Sequence, residues 1–184
     1  WVMNEVCKQI MNWKKQGYVA PPISVNVSPR ELLRPTLVSN IQEVMKKYRV
    51  APSQLRLELT ETFLMKNIEL SIGILEQLKG LGLRLSIDDF GTGYASLNYL
   101  KRLPIDTVKI DQTFIQGIPE NIQDSAISSA IIAISHQLGL DVIAEGIENP
   151  EQLNFLRSAK CNFVQGNFFH PPLTSEEFVD LLKS

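Results

Sequence analysis

The chain is poor in the side chains that bind soft metals or staple small folds. Among its 184 residues are two cysteines, Cys7 and Cys161, and two histidines, His136 and His170. Two thiols exclude a disulfide scaffold and fit a reducing compartment, so a cytoplasmic location is expected. Neither histidine lies at ligand spacing from another His or Cys, which argues against zinc chemistry; His136 reads as a helix-face residue and His170 as a loop residue. No apolar run reaches the ~18 residues of a membrane span. Positive charge is not in excess either: 18 Lys and Arg stand against 20 Asp and Glu, for a formal net charge of −2. A DNA or RNA polymer is therefore not an expected partner. There is no low-complexity tract or composition break, so no internal domain boundary is expected. Also missing is an initiator methionine. Trp1-Val2-Met3-Asn4 starts inside helical spacing, and the chain reads as a piece of something longer.

What is there alternates between two textures. Short strand-like runs cover residues 23–26, 55–59, 83–88, 107–110, 141–145 and 163–165, each short enough to be a buried strand. Between them lie helical patterns. Val2, Val6, Ile10 and Trp13 recur at near-helical spacing, with Gly17 placed to close that helix. Ser28-Pro29-Arg30-Glu31 is a capping box that predicts a helix running to Tyr48. Residues 68–80 and 121–138 form further helices, ended by Gly80 with Gly82 and by Gly139. Asn149-Pro150-Glu151-Gln152 repeats the capping logic, and Thr174-Ser175-Glu176-Glu177 opens a C-terminal helix. Alternating strands and helices imply an α/β fold with a parallel sheet. Six units average about 31 residues, so eight would need about 245, the size of a (β/α)8 TIM-like barrel. An open doubly wound sheet competes with it.

The strand ends carry the chemistry. In order they bear Asn26; Glu58 with Glu61; Asp88 with Asp89; Lys109 with Asp111; Glu145 with Glu148; and Gln165. One polar strand end is explained as the N-cap of the next helix. Six in succession, several doubled, point to one functional face. Glu58, Asp88, Asp89 and Glu145 gathered in one cleft cannot all ionise without cations. Oxygen-only donors suit Mg²⁺ or Mn²⁺, and paired hard ions serve phosphodiester hydrolysis. Lys109 can neutralise charge developing on phosphate. The competing use of a barrel lysine, Schiff-base formation, is disfavoured because neighbouring acids keep the ammonium protonated. Gly91 and Gly93 after the diacid suggest a mobile loop beside the site.

These residues resemble the EAL domain, a bacterial phosphodiesterase family acting on cyclic di-GMP. The resemblance rests on Asn26-Val27-Ser28, Glu58-Leu59-Thr60-Glu61, Asp88-Asp89-Phe90-Gly91-Thr92-Gly93-Tyr94, Leu103-Pro104-Ile105-Asp106 with Lys109-Ile110-Asp111, Ala144-Glu145-Gly146-Ile147-Glu148 and Gln165-Gly166. It implies a TIM-like barrel that hydrolyses cyclic di-GMP to linear pGpG with Mg²⁺ or Mn²⁺. By the same resemblance, Asn26, Glu58 and Asp88 are ligands of one metal, and Asp88 and Asp89 are ligands of a second. Glu145 corresponds to a second-metal ligand or general base, and Lys109 to the lysine that contacts metal-bound water or phosphate. Glu61 corresponds to the acid anchoring the glycine loop of Gly91 and Gly93, while Asp111, Glu148 and Gln165 belong to the site's lining or support.

The Glu-Ala-Leu string that names the family is absent, Ala95 replaces a common Ser, and Phe168-Phe169-His170-Pro171-Pro172 stands where a Ser-Lys-Pro pattern is usual. The expectation is a partial domain spanning residues 1–184, with six of eight strands and an N-terminal portion of about 70 residues, Glu-Ala-Leu included, lying upstream. Such a piece alone should bind metal weakly and turn over little. Its parent is expected to carry an upstream sensory or GGDEF-type domain, with anchoring in the bacterial inner membrane as one arrangement. A homodimer through the helix at 96–102, or a non-catalytic cyclic di-GMP receptor, are the alternative roles.

Overall fold

The computed structural model describes residues 1–93 and 97–183. Tyr94 and Ser96 of the expected loop and helix, and the Ala95 departure, lie outside the described residues. Six strands, β1 (Ile23–Asn26), β2 (Leu55–Thr60), β3 (Arg84–Phe90), β4 (Thr107–Ile110), β5 (Asp141–Glu145) and β6 (Phe163–Gln165), form one sheet. Their order is β1-β2-β3-β4-β5-β6 and every pairing is parallel. A doubly wound sheet reverses direction from its middle strands. This sheet never reverses, so it is an open half-barrel of consecutive βα units.

The helices are α1 (Val2–Lys15), α2 (Pro29–Leu32), α3 (Leu37–Tyr48), α4 (Glu61–Lys66), α5 (Ile68–Gly80), α6 (Leu97–Leu100), α7 (Ile122–Gln137), α8 (Pro150–Ser158) and α9 (Phe178–Leu182). The helix expected from Ser28 to Tyr48 is two helices. Its capping box forms, with Ser28 Oγ accepting from the Glu31 N–H. The chain then turns at residues 33–36, because Pro35 has no N–H to donate and disfavours helical geometry at Arg34. The C-terminal helix starts at Phe178 rather than Thr174. The expected capping bonds do form, Thr174 Oγ1 accepting from the Glu177 N–H at 3.3 Å and Glu177 Oε2 from the Thr174 N–H at 2.8 Å. Phe178 N–H reaches back four residues to Thr174 O, but Val179 and Asp180 reach back three, so the opening turn mixes α and 3₁₀ spacing.

Side-chain alternation divides the sheet's faces by chemistry. Val25, Leu57, Leu59, Leu85, Ile87 and Val108 are buried on the outer face with Ile10, Leu32, Ile41, Met45, Leu75 and Leu78 of the helices. Ile110, Val142 and Ala144 continue that face against Ile132, Leu153 and Leu156. The alternate positions carry Asn26, Glu58, Ser86, Asp88, Thr107, Lys109 and Glu145. The apolar core therefore lies between sheet and helices, and the inner face is polar except at Ile143, which pairs with Lys109, and Phe163, which pairs with Ile143.

Below the site, Asp106 pins the register. Its carboxylate accepts from the Leu85 N–H at 2.8 Å and from Lys79 Nζ of α5 at 2.6 Å. Its backbone N–H donates to Leu85 O, and its carbonyl accepts from Asp141 N. One residue thus joins β3, β4, β5 and α5. Asp106→Ala is expected to lower unfolding free energy by about 2–4 kcal/mol, one charge-assisted bond to the Leu85 N–H plus a partly solvated ion pair with Lys79 worth about 1 kcal/mol or less, as measured by urea denaturation.

Candidate active site

Parallel register brings the polar strand ends to one edge of the inner face. Asn26 pairs with Glu58 across β1 and β2, and Glu145 pairs with Gln165 across β5 and β6. At the centre is Lys109, whose side chain is 5% exposed. Its Nζ lies 2.7 Å from Glu58 Oε2, 2.9 Å from Asp88 Oδ1 and 2.8 Å from Glu145 Oε1. Four strands contribute to this cluster. Burial works to push the Lys109 pKa down. Hydrogen bonds to Asp88, Glu145 and Glu58 overcome it and hold the ammonium above its ordinary range.

Asp88 and Asp89 are placed by a bulge. Between Ile87 and Phe90 on β3 lie two residues, but between their β4 partners Val108 and Ile110 lies one. The diacid was expected at the strand's end; the strand instead continues through it to Phe90. Adjacent strand residues normally face opposite ways. The extra residue, with Asp89 in the left-handed region at φ 55°, re-aims the pair. Oxygens of Asp88, Asp89 and Glu145 consequently fall within 4.8 Å of one another. All three donors are carboxylates, a set that can hold a hard cation. Burial, then Asp88 and Asp111, raise the Asp89 pKa against the lowering effect of Lys109. Glu145 is also raised, by burial first, although Lys109 opposes it.

The remaining expected residues take supporting or peripheral positions. Glu61, fully buried, begins α4 and accepts from the Gly91 N–H at 2.7 Å through Oε2. Its Oε1 is buried with no hydrogen-bond partner among the described residues. A Cβ at Gly93 would collide with that oxygen, and one at Gly91, whose φ is +101°, would stand 2.8 Å from the Phe114 ring. Asp111 caps the 3₁₀ turn at Gln112–Phe114, accepting from Thr113 N at 2.9 Å. Asn26 and Gln165 flank the cluster from the two edge strands and are exposed. Glu148 is not drawn into the ion cluster: its side chain is exposed, and its N–H donates to Gln152. A 460 Å³ cleft lies along the β1 edge, lined by Trp1, Asn4, Val25, Asn26 and Arg34. Gln152 itself was legible in sequence only as a cap residue; its second bond, to Ile115 O, comes from a distant loop.

The family model described as the EAL domain matches residues 1–172. The chain is 42% identical over 184 residues to cyclic di-GMP phosphodiesterase NbdA of Pseudomonas aeruginosa, covering 100% of this chain and 24% of NbdA. It is 35% identical over 178 residues to cyclic di-GMP phosphodiesterase PdeR of Escherichia coli, covering 97% of this chain and 26% of PdeR. It thus spans about a quarter of the length of these relatives. Among solved structures, the PaMucR phosphodiesterase in complex with c-di-GMP superposes with a TM-score of 0.92 at 40% identity, over 97% of this chain and 72% of that one. The EAL domain of Mycobacterium smegmatis DcpA does so at 0.93 and 33% identity, over 100% of this chain and 82% of its own.

Removing the central cation tests the electrostatics. Lys109→Met leaves Glu58, Asp88 and Glu145 without counter-charge and is expected to cost about 3–5 kcal/mol at pH 7. The stranded carboxyls then bind protons more tightly folded than unfolded. Their penalty should shrink as pH falls through the carboxylate range, so urea denaturation should find wild type and variant closer at pH 5 than at pH 7.

Proposed function

The chain belongs to the EAL domain family, and we propose that it forms the larger part of a phosphodiesterase domain that hydrolyses cyclic di-GMP to linear pGpG. The carrying observation is the convergence of Asp88, Asp89 and Glu145 oxygens within 4.8 Å beside the Lys109 ammonium. Asn26, Glu58 and Asp88 would hold one divalent ion, Asp88 and Asp89 a second, with Glu145 serving the second ion or acting as general base. Mg²⁺ or Mn²⁺ bound there would supply Lewis-acid charge to the scissile phosphodiester. Lys109 orients Glu58, Asp88 and Glu145 and offsets part of the negative charge that the phosphate would meet. Glu61 holds the Gly91 backbone and so fixes the start of the glycine loop. Asp111 stiffens the turn after β4, and Gln165 and Glu148 border the substrate side.

The β1 edge, unpaired among the described residues, supports a further part of the proposal. Exposed strand edges are usually covered, and the matched solved chains are longer than this one. Residues preceding Trp1 would supply the Glu-Ala-Leu strand and close the barrel beside the β1 cleft. The domain would act on the cytoplasmic side, within a parent that carries sensory or GGDEF-type modules. No helix among the described residues is long and apolar enough to cross a membrane.

With Mn²⁺ or Mg²⁺ the parent protein is expected to convert cyclic di-GMP to pGpG, followed by chromatography. Asp88→Asn and Asp89→Asn should each lower turnover by about a hundredfold, at least the loss seen when groups supporting a metal ligand are removed. The isolated 184-residue chain should show little turnover. A folded, metal-bound parent that releases no pGpG would refute the proposal.

A further inference from the structure

The loop after β5 carries Glu145 at its start and Glu148 three residues later. One buried side chain joins it to the loop after β4. Gln152 is 2% exposed and occupies the third position of α8. Its Oε1 accepts from the Glu148 N–H at 2.7 Å and the Asn149 N–H at 3.3 Å. Those bonds, with Asn149 Oδ1 accepting from the Gln152 N–H at 2.9 Å, complete a capping box. Capping needs only an acceptor at this position, and a glutamate supplies it equally well.

The other end of the amide does something a cap does not require. Gln152 Nε2 donates to the Ile115 carbonyl at 3.1 Å, across 37 residues of sequence. Ile115 closes the 3₁₀ turn that Asp111 opens, two residues beyond Lys109. The same two loops meet at Gly146, φ +77°, where a Cβ would come within 2.6 Å of Gln112 Cβ. Past Glu145 the strand ladder ends. On the β6 side the chain is still held, because Ile147 N–H donates to Gln165 O and Ile147 O accepts from Phe168 N–H. On the β4 side, the hydrogen bond found among the described residues is the one from Gln152.

We propose that Gln152 is a positioning residue for the carboxylate–lysine cluster. Its amide ties the Glu145–Glu148 loop to the turn after Asp111 and so keeps Glu145 against Lys109. A glutamine suits the post because it accepts on one side and donates on the other without bringing charge into a buried seam. The significance for turnover rests on the phosphodiesterase reading; the tie itself does not.

The test compares Gln152→Met with Asn149→Ala in the 184-residue chain by NMR. Both substitutions weaken the α8 cap, but only the first removes the link to Ile115. In Gln152→Met, amide exchange at Ile115 and Gln116 should quicken by about tenfold or more, as should exchange of the Lys109 ammonium protons. In Asn149→Ala both should stay within about twofold of wild type. Equal behaviour of the two variants would overturn the proposal. Should Gln152→Met not fold, Gln152→Glu provides the same decision. It keeps an acceptor for the Glu148 N–H, so that amide should stay protected while Ile115 and Gln116 lose protection. Unchanged protection at Ile115 and Gln116 would overturn it. Neither readout involves metal or nucleotide, so failure of the catalytic reading and failure of this one are separately visible.

Discussion

Everything at the strand ends depends on the Lys109 ammonium. Taking a carboxylate out of water costs several kcal/mol even after relaxation, and here Glu58, Asp88 and Glu145 are taken largely out of water together. Without a cation they would bind protons or spread apart. Lys109 provides that cation from within the sheet, at a position where three bonds of 2.7–2.9 Å consume its three donors. The ends of β2, β3, β4 and β5 can therefore close on one another before any ligand arrives. The same bonds keep the amine protonated, which removes it from nucleophilic chemistry. Its use is electrostatic.

A second constraint follows from strand geometry. Two neighbouring carboxylates cannot serve one point from a regular strand, because alternation sends them to opposite faces. The bulge in β3 resolves this with one extra residue and one left-handed backbone position at Asp89. That conformation costs on the order of 1–2 kcal/mol for an L-residue, and aspartate tolerates it better than most. The apolar face stays in register on both sides of the irregularity: Ile87 is fully buried and Phe90 nearly so. Strain is thus confined to the two residues whose direction matters.

The units of the fold were legible because each boundary has a local cause. Gly17, Gly82 and Gly139 do adopt positive φ at helix ends, and Ser28 and Asn149 do cap their helices. The gathering of Glu58, Asp88, Lys109 and Glu145 was legible from polar residues recurring at strand ends. What escaped depends on distance or on competition between local signals. Pro35 overrode a helical pattern that the capping box had started. Asp88-Asp89 reads identically as a cap or as a bulge, and only pairing with β4 decides between them. Gln152 announced its cap through spacing, but its bond to Ile115 joins segments that no local pattern connects. Glu148 followed the acidic pattern, yet its side chain stays exposed.

Lys109 gives its three hydrogen bonds to Glu58, Asp88 and Glu145, and its lowering pull on Asp89 is outweighed. Asp89 sits beside Asp88 and Asp111, and these two neighbours, after burial, account for its raised pKa. Asp111 is itself occupied as an acceptor for Thr113. The open side of the cluster therefore presents uncompensated negative charge at Asp88, Asp89 and Glu145. A phosphodiester is an anion and would be repelled from such a surface. It can come against these residues only with cations interposed, and all-oxygen donors at this spacing suit hard divalent ions. On the phosphodiesterase reading proposed above, a divalent ion would supply the positive charge that the internal lysine, already spent on three carboxylates, does not.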